Sequence, residues 1–164
     1  MHEHQIDDRP SAAGRLRLVD PTDMPANTNV LLALLPQSAV HRSWAGSDAV
    51  RLFVPPLSLG QCFGFTRWGR PWGFFTWARL TEEAEHGYLT RTRKLQPGDW
   101  AAGDRVWMID AFAPHGNLTQ MAGRLRREMT RLAEERGWTA TEARWARTFG
   151  TGRVKQMGRV ARCG

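Results

Sequence analysis

Cysteine is nearly absent: Cys62 and Cys163 are the two in a chain of 164 residues. Two thiols cannot make the disulfide framework of a small secreted domain, and no CxxC pair or His-rich tract is present to hold zinc. Long apolar runs are missing too. The longest, residues 30–35, falls far short of the roughly 20 residues a membrane-spanning helix needs. The first ten residues, MHEHQIDDRP, are polar and acidic, where a secretion signal needs a basic start and then an apolar stretch. Together these absences predict a cytoplasmic chain in a reducing compartment, with no stable membrane insertion. No P-loop and no GxGxxG fingerprint occurs, so a bound nucleotide is not expected. Acidic residues are the minority charge, which leaves a formal charge of +7 and a pI near 10.9. Such a surface attracts an acidic partner: nucleic acid, anionic lipid or an acidic protein. The basic residues are spread along the chain and match no nucleic-acid-binding motif, which leaves a basic nucleic-acid-binding module as the rival reading. A single tyrosine stands against eight tryptophans; most of these large rings are expected to fill core and the rest to line a pocket.

What is present reads as an N-terminal extension over residues 1–27, rich in charge and proline and expected to be mobile, followed by one domain over 28–164. Thr28 and Asn29 precede VLLALL, a helix that Pro36 ends or kinks. AVRLFVPPLSL reads as a second helix ended by Pro55 and Pro56. QCFGFTR and PWGFFTWARL flank a turn at Gly69 and make a hairpin. Thr81 caps a helix whose early Glu82, Glu83 and Glu85 suit its positive end, with Gly87 as the stop. RVWMIDAFAP alternates as a strand, with Val106, Met108 and Asp110 on one face and Trp107, Ile109 and Ala111 on the other. Leu118, Met121, Leu125, Met129 and Leu132 recur at helical spacing; Asn117 with Gln120 resembles a capping box, and Gly137 ends the helix. RWARTF and GRVKQMGRV close the chain as a hairpin around residues 150–152. The order predicts an α+β fold: a single mostly antiparallel sheet flanked by helices.

Three segments carry a resemblance. LLPQSAVHRSW (34–44) contains Ser-x-x-His-Arg-x-Trp, GRPWGFFTWARLTEE (69–83) is the aromatic hairpin, and DWAAGDRVWMIDAFAPHGN (99–117) is the most specific of the three. In order and separation they resemble the RTX toxin-activating lysine acyltransferases, the hemolysin-activating family. The resemblance implies a fold similar to the Gcn5-related N-acetyltransferases. It also implies acyl transfer from an acyl carrier protein, as co-substrate rather than bound cofactor, to a lysine of an RTX-type protoxin; the motifs leave open an acyltransferase that uses acyl-CoA or lipidates a different protein or peptide lysine. A homodimer is expected on the same ground, and no metal. The family's catalytic histidine and aspartate fall on His41 and Asp110, and a further motif serine falls on Ser38.

The chemistry suits these residue types. A lysine amine, with a reference pKa near ~10.4, is protonated at neutral pH, so acylating it requires a proton acceptor. Histidine, near ~6.5, can take the proton, and a carboxylate can fix the ring's tautomer. His41 would act as general base for direct attack, or alternatively carry the acyl group itself. Backbone N–H groups around Ala113–Gly116 are candidate oxyanion donors. Gly116 and Asn117, before the long helix, suit the phosphate of the carrier's phosphopantetheine arm. Phe74, Phe75, Trp77 and Trp107 are candidates for an acyl slot, and Arg124 and Arg127 for carrier docking. His86 and His115 read as solvent-facing.

Overall fold

A computed structural model describes residues 14–116, 118–138, 142–148 and 154–161. The elements run β1 (Arg17–Leu18), α1 (Met24–Leu34), α2 (Gly46–Ser58), β2 (Cys62–Arg67), β3 (Arg70–Leu80), α3 (Glu82–Thr90), β4 (Arg105–Phe112), α4 (Leu118–Glu135), β5 (Glu142–Thr148) and β6 (Val154–Ala161). The strands form one sheet in the order β1-β2-β3-β4-β5-β6. Every neighbouring pair is antiparallel except β4 and β5. Parallel neighbours need a crossover, and α4 is that crossover. This is the α+β, mostly antiparallel architecture that the element order predicts.

The domain begins earlier than residue 28. Arg17 and Leu18 pair with Thr66 and Phe65, and α1 starts at Met24. The Asp23 carboxylate caps it, accepting the Ala26 N–H at 3.0 Å. Pro25 sits in the first turn, where its missing N–H loses no helix bond. Asn27 fastens this segment to the sheet. Its amide donates to the Asp20 and Asp23 carbonyls, and its Oδ1 accepts the Gly64 N–H at 2.7 Å. The extension drawn over 1–27 therefore loses residues 14–27 to the domain, and residues 1–13 lie outside the described residues.

Two helix stops also differ. α2 continues through Pro55 and Pro56 to Ser58. Both prolines are buried, and their carbonyls accept from Leu59 and Gln61, so packing and the closing turn outweigh the two lost donors. α3 runs past Gly87 to Thr90 and ends at Arg91 in the left-handed region, φ 58°. Gly87 is there for closeness: a Cβ at that position would lie 3.1 Å from the Arg93 Cβ. The β2–β3 hairpin turns on Trp68 and Gly69, both with positive φ, the two-residue turn whose twist suits paired strands.

The sheet carries a different layer on each face. Phe74 and Cys62 join Val30, Leu31, Leu34, Phe53 and Leu57 under α1 and α2. Their strand neighbours Phe75 and Phe63 face α4, with Phe65, Trp77, Met121 and Leu132. Leu125 and Met129 complete that stripe, whereas Leu118, in the first turn of α4, is 40% exposed rather than core. A third cluster, Ala78, Leu80, Ala84, Leu95, Trp100 and Trp107, lies under α3.

Candidate active site

The connection between α1 and α2 folds as consecutive turns. A short 3-10 turn over residues 35–37 ends at Ser38. His41 and Arg42 N–H groups then donate to the Ser38 carbonyl, at 3.1 and 3.0 Å, and Trp44 N–H donates to His41 at 2.9 Å. This brings two side chains three residues apart into contact: Ser38 Oγ lies 2.5 Å from His41 Nδ1. The other ring nitrogen, Nε2, lies 2.7 Å from Asp110 Oδ2. Asp110 Oδ1 accepts the Ala111 N–H at 2.8 Å. The result is an unbroken chain, Ser38–His41–Asp110, spanning 72 residues of sequence from its first member to its last.

Asp110 reaches His41 because β4 is irregular. Across from it, Thr76 pairs with Asp110 and Trp77 with Met108, so Ile109 is an extra residue on β4. A bulge of this kind turns two successive side chains to one face. Met108 and Ala111 pack on the α4 side, while Trp107 and Ile109 pack in the α3 cluster and Phe112 under α1 and α2. Asp110 joins the Ile109 and Phe112 side, where it meets His41. Strict alternation, which placed Asp110 with Val106 and Met108, is corrected by one inserted residue.

The imidazole is enclosed by aromatic rings. Trp44 and Phe112 lie 4.5 Å from it centroid to centroid, and Phe53 lies 5.9 Å away. The His41 side chain is 3% exposed, while that of Asp110 is 21% exposed. Ser38 is buried as well. Tyr88, the single tyrosine, donates from its hydroxyl to the Ile109 carbonyl at 3.5 Å. Burial, with the Asp110 charge adding to it, pushes this phenol up to about 12, so it stays a donor.

A residue that the sequence reading passed over stands directly across the ladder from Asp110. Thr76 is 1% exposed, and its hydroxyl has no hydrogen-bond partner among the described residues. A threonine in the aromatic run FFTW, on the core-facing side, was the available signal. β4 also parts from β5 here. Their parallel register holds Val106, Trp107 and Met108 against Ala143, Arg144 and Trp145 and goes no further. Among the described residues, the β5-facing edge of β4 has no ladder partner from Ile109 onward. Behind it, the buried Glu85 of α3 accepts from Trp107 Nε1 at 2.6 Å, and from Arg105 and Arg144, tying α3, β4 and β5 together.

The other predicted site residues scatter. Phe74 packs in the cluster that adjoins His41, 6.0 Å from Phe112. Phe75 and Trp77 are core on the opposite face, and Trp107 is fully buried with its N–H committed to Glu85. None of these three lines a slot at His41, because the pleat and the bulge turn them elsewhere. The Gly116 N–H is already given to the Ala113 carbonyl at 3.2 Å, and Gly116 lies against Trp72, whose Nε1 would be 2.5 Å from an added Cβ. Ala113 packs toward α4, and Asn117 lies outside the described residues. Arg124 pairs with Glu128 at 3.7 Å, and Arg127 is exposed. His86 is exposed, and the exposed His115 bonds Gln37 beside the Ser38 turn. Among the described residues no group of three His, Cys, Asp or Glu side chains could hold a metal ion, and no helix is long and apolar enough to cross a membrane.

A bonded Ser–His–Asp chain, its aspartate on a bulged strand, is an arrangement able to hold and move protons. The RTX toxin acyltransferase family matches residues 27–147, and the chain belongs to that family. It is 35% identical over 89 residues to the RTX-II toxin-activating lysine-acyltransferase ApxIIC of Actinobacillus pleuropneumoniae, covering 54% of this chain and 56% of that one. It is 26% identical over 118 residues to the lysine-acyltransferase RtxC of Vibrio cholerae serotype O1, covering 66% and 77%. To the protein-lysine myristoyltransferase HlyC of Escherichia coli it is 36% identical over 80 residues, covering 49% and 47%. The chain spans about half the length of most of the curated relatives it matches. Among solved structures, the loading GNATL domain of CurA from Lyngbya majuscula aligns with a TM-score of 0.49 and 15% identity, over 80% of this chain and 63% of that one.

Proposed function

We propose that this chain is a protein-lysine N-acyltransferase that moves a fatty acyl group from an acyl carrier protein to a lysine of an RTX-type protoxin. The observation that carries the reading is the Ser38–His41–Asp110 chain, in a member of a family whose relatives are named lysine acyltransferases. Both ring nitrogens of His41 are engaged by protein groups, which favours direct attack of the amine on the thioester over an acyl-histidine. The β4 edge beyond Met108 offers backbone N–H and C=O groups to an extended, amide-bearing arm such as phosphopantetheine. The rings of Trp44, Phe53 and Phe112 beside His41 supply an apolar wall of the kind a fatty chain needs, with Phe74 packed behind them. The +7 charge suits an acidic carrier, with Arg127 among the exposed cations of α4. In this reading the enzyme works in the cytoplasm as a homodimer, with the carrier's thioester as co-substrate and no resident cofactor.

Co-expression with a candidate acceptor, read by intact and peptide mass spectrometry, tests the proposal. A fatty acyl mass on an acceptor lysine is expected with the wild type and absent with His41→Ala. Modification that survives His41→Ala would remove His41 from the site.

A further inference from the structure

We propose that Asp110, rather than His41, is the group that meets the lysine amine, and that His41 and Ser38 are positioning residues that hold its carboxylate. This rests on the acyltransferase reading above and assigns the parts within it.

The argument is a count of protons and lone pairs. A neutral imidazole has one N–H and one acceptor nitrogen. Ionised Asp110 can only accept, so the nitrogen facing it, Nε2, carries the hydrogen. Nδ1 is then the acceptor, and Ser38 donates to it. Both functions of the ring are thereby used inside the protein. Protonated His41 would donate from both nitrogens and have no base site at all. In the neutral state the ring can take a proton only by way of the Ser38 hydroxyl, and Ser38 is itself buried, whereas the protonated ring can take none. Access points the same way. The His41 side chain is 3% exposed and boxed by Trp44, Phe53 and Phe112, whereas the Asp110 side chain is 21% exposed. A carboxylate has about four lone-pair sites. His41 and the Ala111 N–H each take one, which leaves the outer ones for a ligand. The bulge at Ile109 gives Asp110 this position beside the buried ring, at the point where, among the described residues, the β4–β5 ladder has ended.

The chemistry closes on this arrangement. The lysine loses one proton to solvent as it docks, and its nitrogen attacks the thioester carbon, the carbonyl electrons moving to oxygen. The nitrogen, now positive and far more acidic, passes its surplus proton to the Asp110 carboxylate. The carbonyl reforms, the C–S bond breaks, and the leaving thiolate takes that proton back from Asp110. Amide and thiol are the products, and the site returns to its starting state. His41 keeps its single ring proton throughout, donating it to Asp110 and raising no demand for a second.

Glutamine at position 41 separates the two assignments. Its amide can donate to Asp110 and accept from Ser38, as the neutral ring does, but it cannot act as a base. Rates are measured with acyl-acyl carrier protein and an acceptor that the wild type modifies, and each variant is checked by circular dichroism and melting. His41→Gln should keep kcat within about a hundredfold of wild type with the same pH profile between about pH 5 and 8, while Asp110→Asn loses roughly a thousandfold or more. His41→Ala should fall below His41→Gln, and Ser38→Ala should lower kcat with KM unchanged. A folded His41→Gln as inert as Asp110→Asn, or one that loses a limb of the wild-type pH profile, would overturn the assignment by making the ring the base. Failure of the wild type to acylate any candidate acceptor in the preceding co-expression test, by contrast, would overturn the functional reading and this assignment with it.

Discussion

A hydroxyl buried without a partner costs roughly 1–3 kcal/mol in the folded state, and Thr76 carries one beside the candidate site, across the ladder from Asp110. Valine has the same shape without that cost. Thr76→Val should raise the free energy of unfolding by about 1 kcal/mol in urea titrations. A variant that is both more stable and fully active would show that the hydroxyl takes no part in the reaction. At this scale the sequence was informative where chemistry is local. Ser38 and His41 are three residues apart, and one tight turn suffices to join them. Asp110 is legible as a motif letter, but its meeting with His41 depends on a strand register that no local pattern encodes. Thr76 is invisible for the same reason, since its importance lies in what stands opposite.

Between elements, the strongest polar junction is Glu85, which joins α3 to β4 and β5 through Trp107, Arg105 and Arg144. Burial alone would raise its carboxyl, but the bonds from Trp107, Arg144 and Arg105 outweigh burial and hold it below the ordinary carboxylate value. Its folded pKa is thus depressed. The stabilisation is complete above the unfolded value, near ~4.3, and is lost as pH falls through the folded one. Melting temperature should drop steeply below about pH 4 in the wild type and less so in Glu85→Gln, where no charge remains to be lost. At neutral pH, Glu85→Gln should cost about 1–3 kcal/mol, because the buried carboxylate that accepts from Trp107, Arg105 and Arg144 loses its charge, while Arg105 keeps Glu82. Gly103 is the backbone counterpart. Its N–H donates to the Arg79 carbonyl at 3.0 Å, and a Cβ there would stand 2.0 Å from the Leu80 carbonyl oxygen. Main chain cannot yield as a side-chain tip can, so Gly103→Ala should destabilise by at least about 3 kcal/mol, read as a lowered denaturation midpoint. Elements with strong periodicity, such as the α4 stripe and the β2–β3 hairpin, were legible from sequence. The errors fell where tertiary packing overrides a local rule: Pro55 and Pro56 inside α2, Gly87 inside α3, and the inserted Ile109 in β4.

For the molecule as a whole, element order was enough to predict the α+β sheet, although only β2–β3 and β5–β6 are joined closely enough to force antiparallel neighbours. The parallel step at β4–β5 follows only once α4 is known to cross between them. Net charge is the whole-molecule property with a direct functional consequence. On the proposed reading, a +7 body would attract an acidic carrier over a distance set by screening, about 10 Å at 0.1 M salt and about 3 Å at 1 M. Raising sodium chloride from about 0.05 to about 0.5 M should therefore raise KM for acyl-acyl carrier protein by roughly tenfold while kcat stays within about twofold, since encounter is screened and the enclosed site is not. A small uncharged acyl thioester used as donor should show no such rise. Arg127→Glu should reproduce the KM increase at low salt if α4 lies on the docking face. A salt response unchanged by Arg127→Glu, but present in the wild type, would move the docking face away from α4 and its arginines. Parallel loss of kcat with salt would instead mean that the charges act on the reaction itself, through the half-buried Asp110 carboxylate, rather than on the approach of the donor.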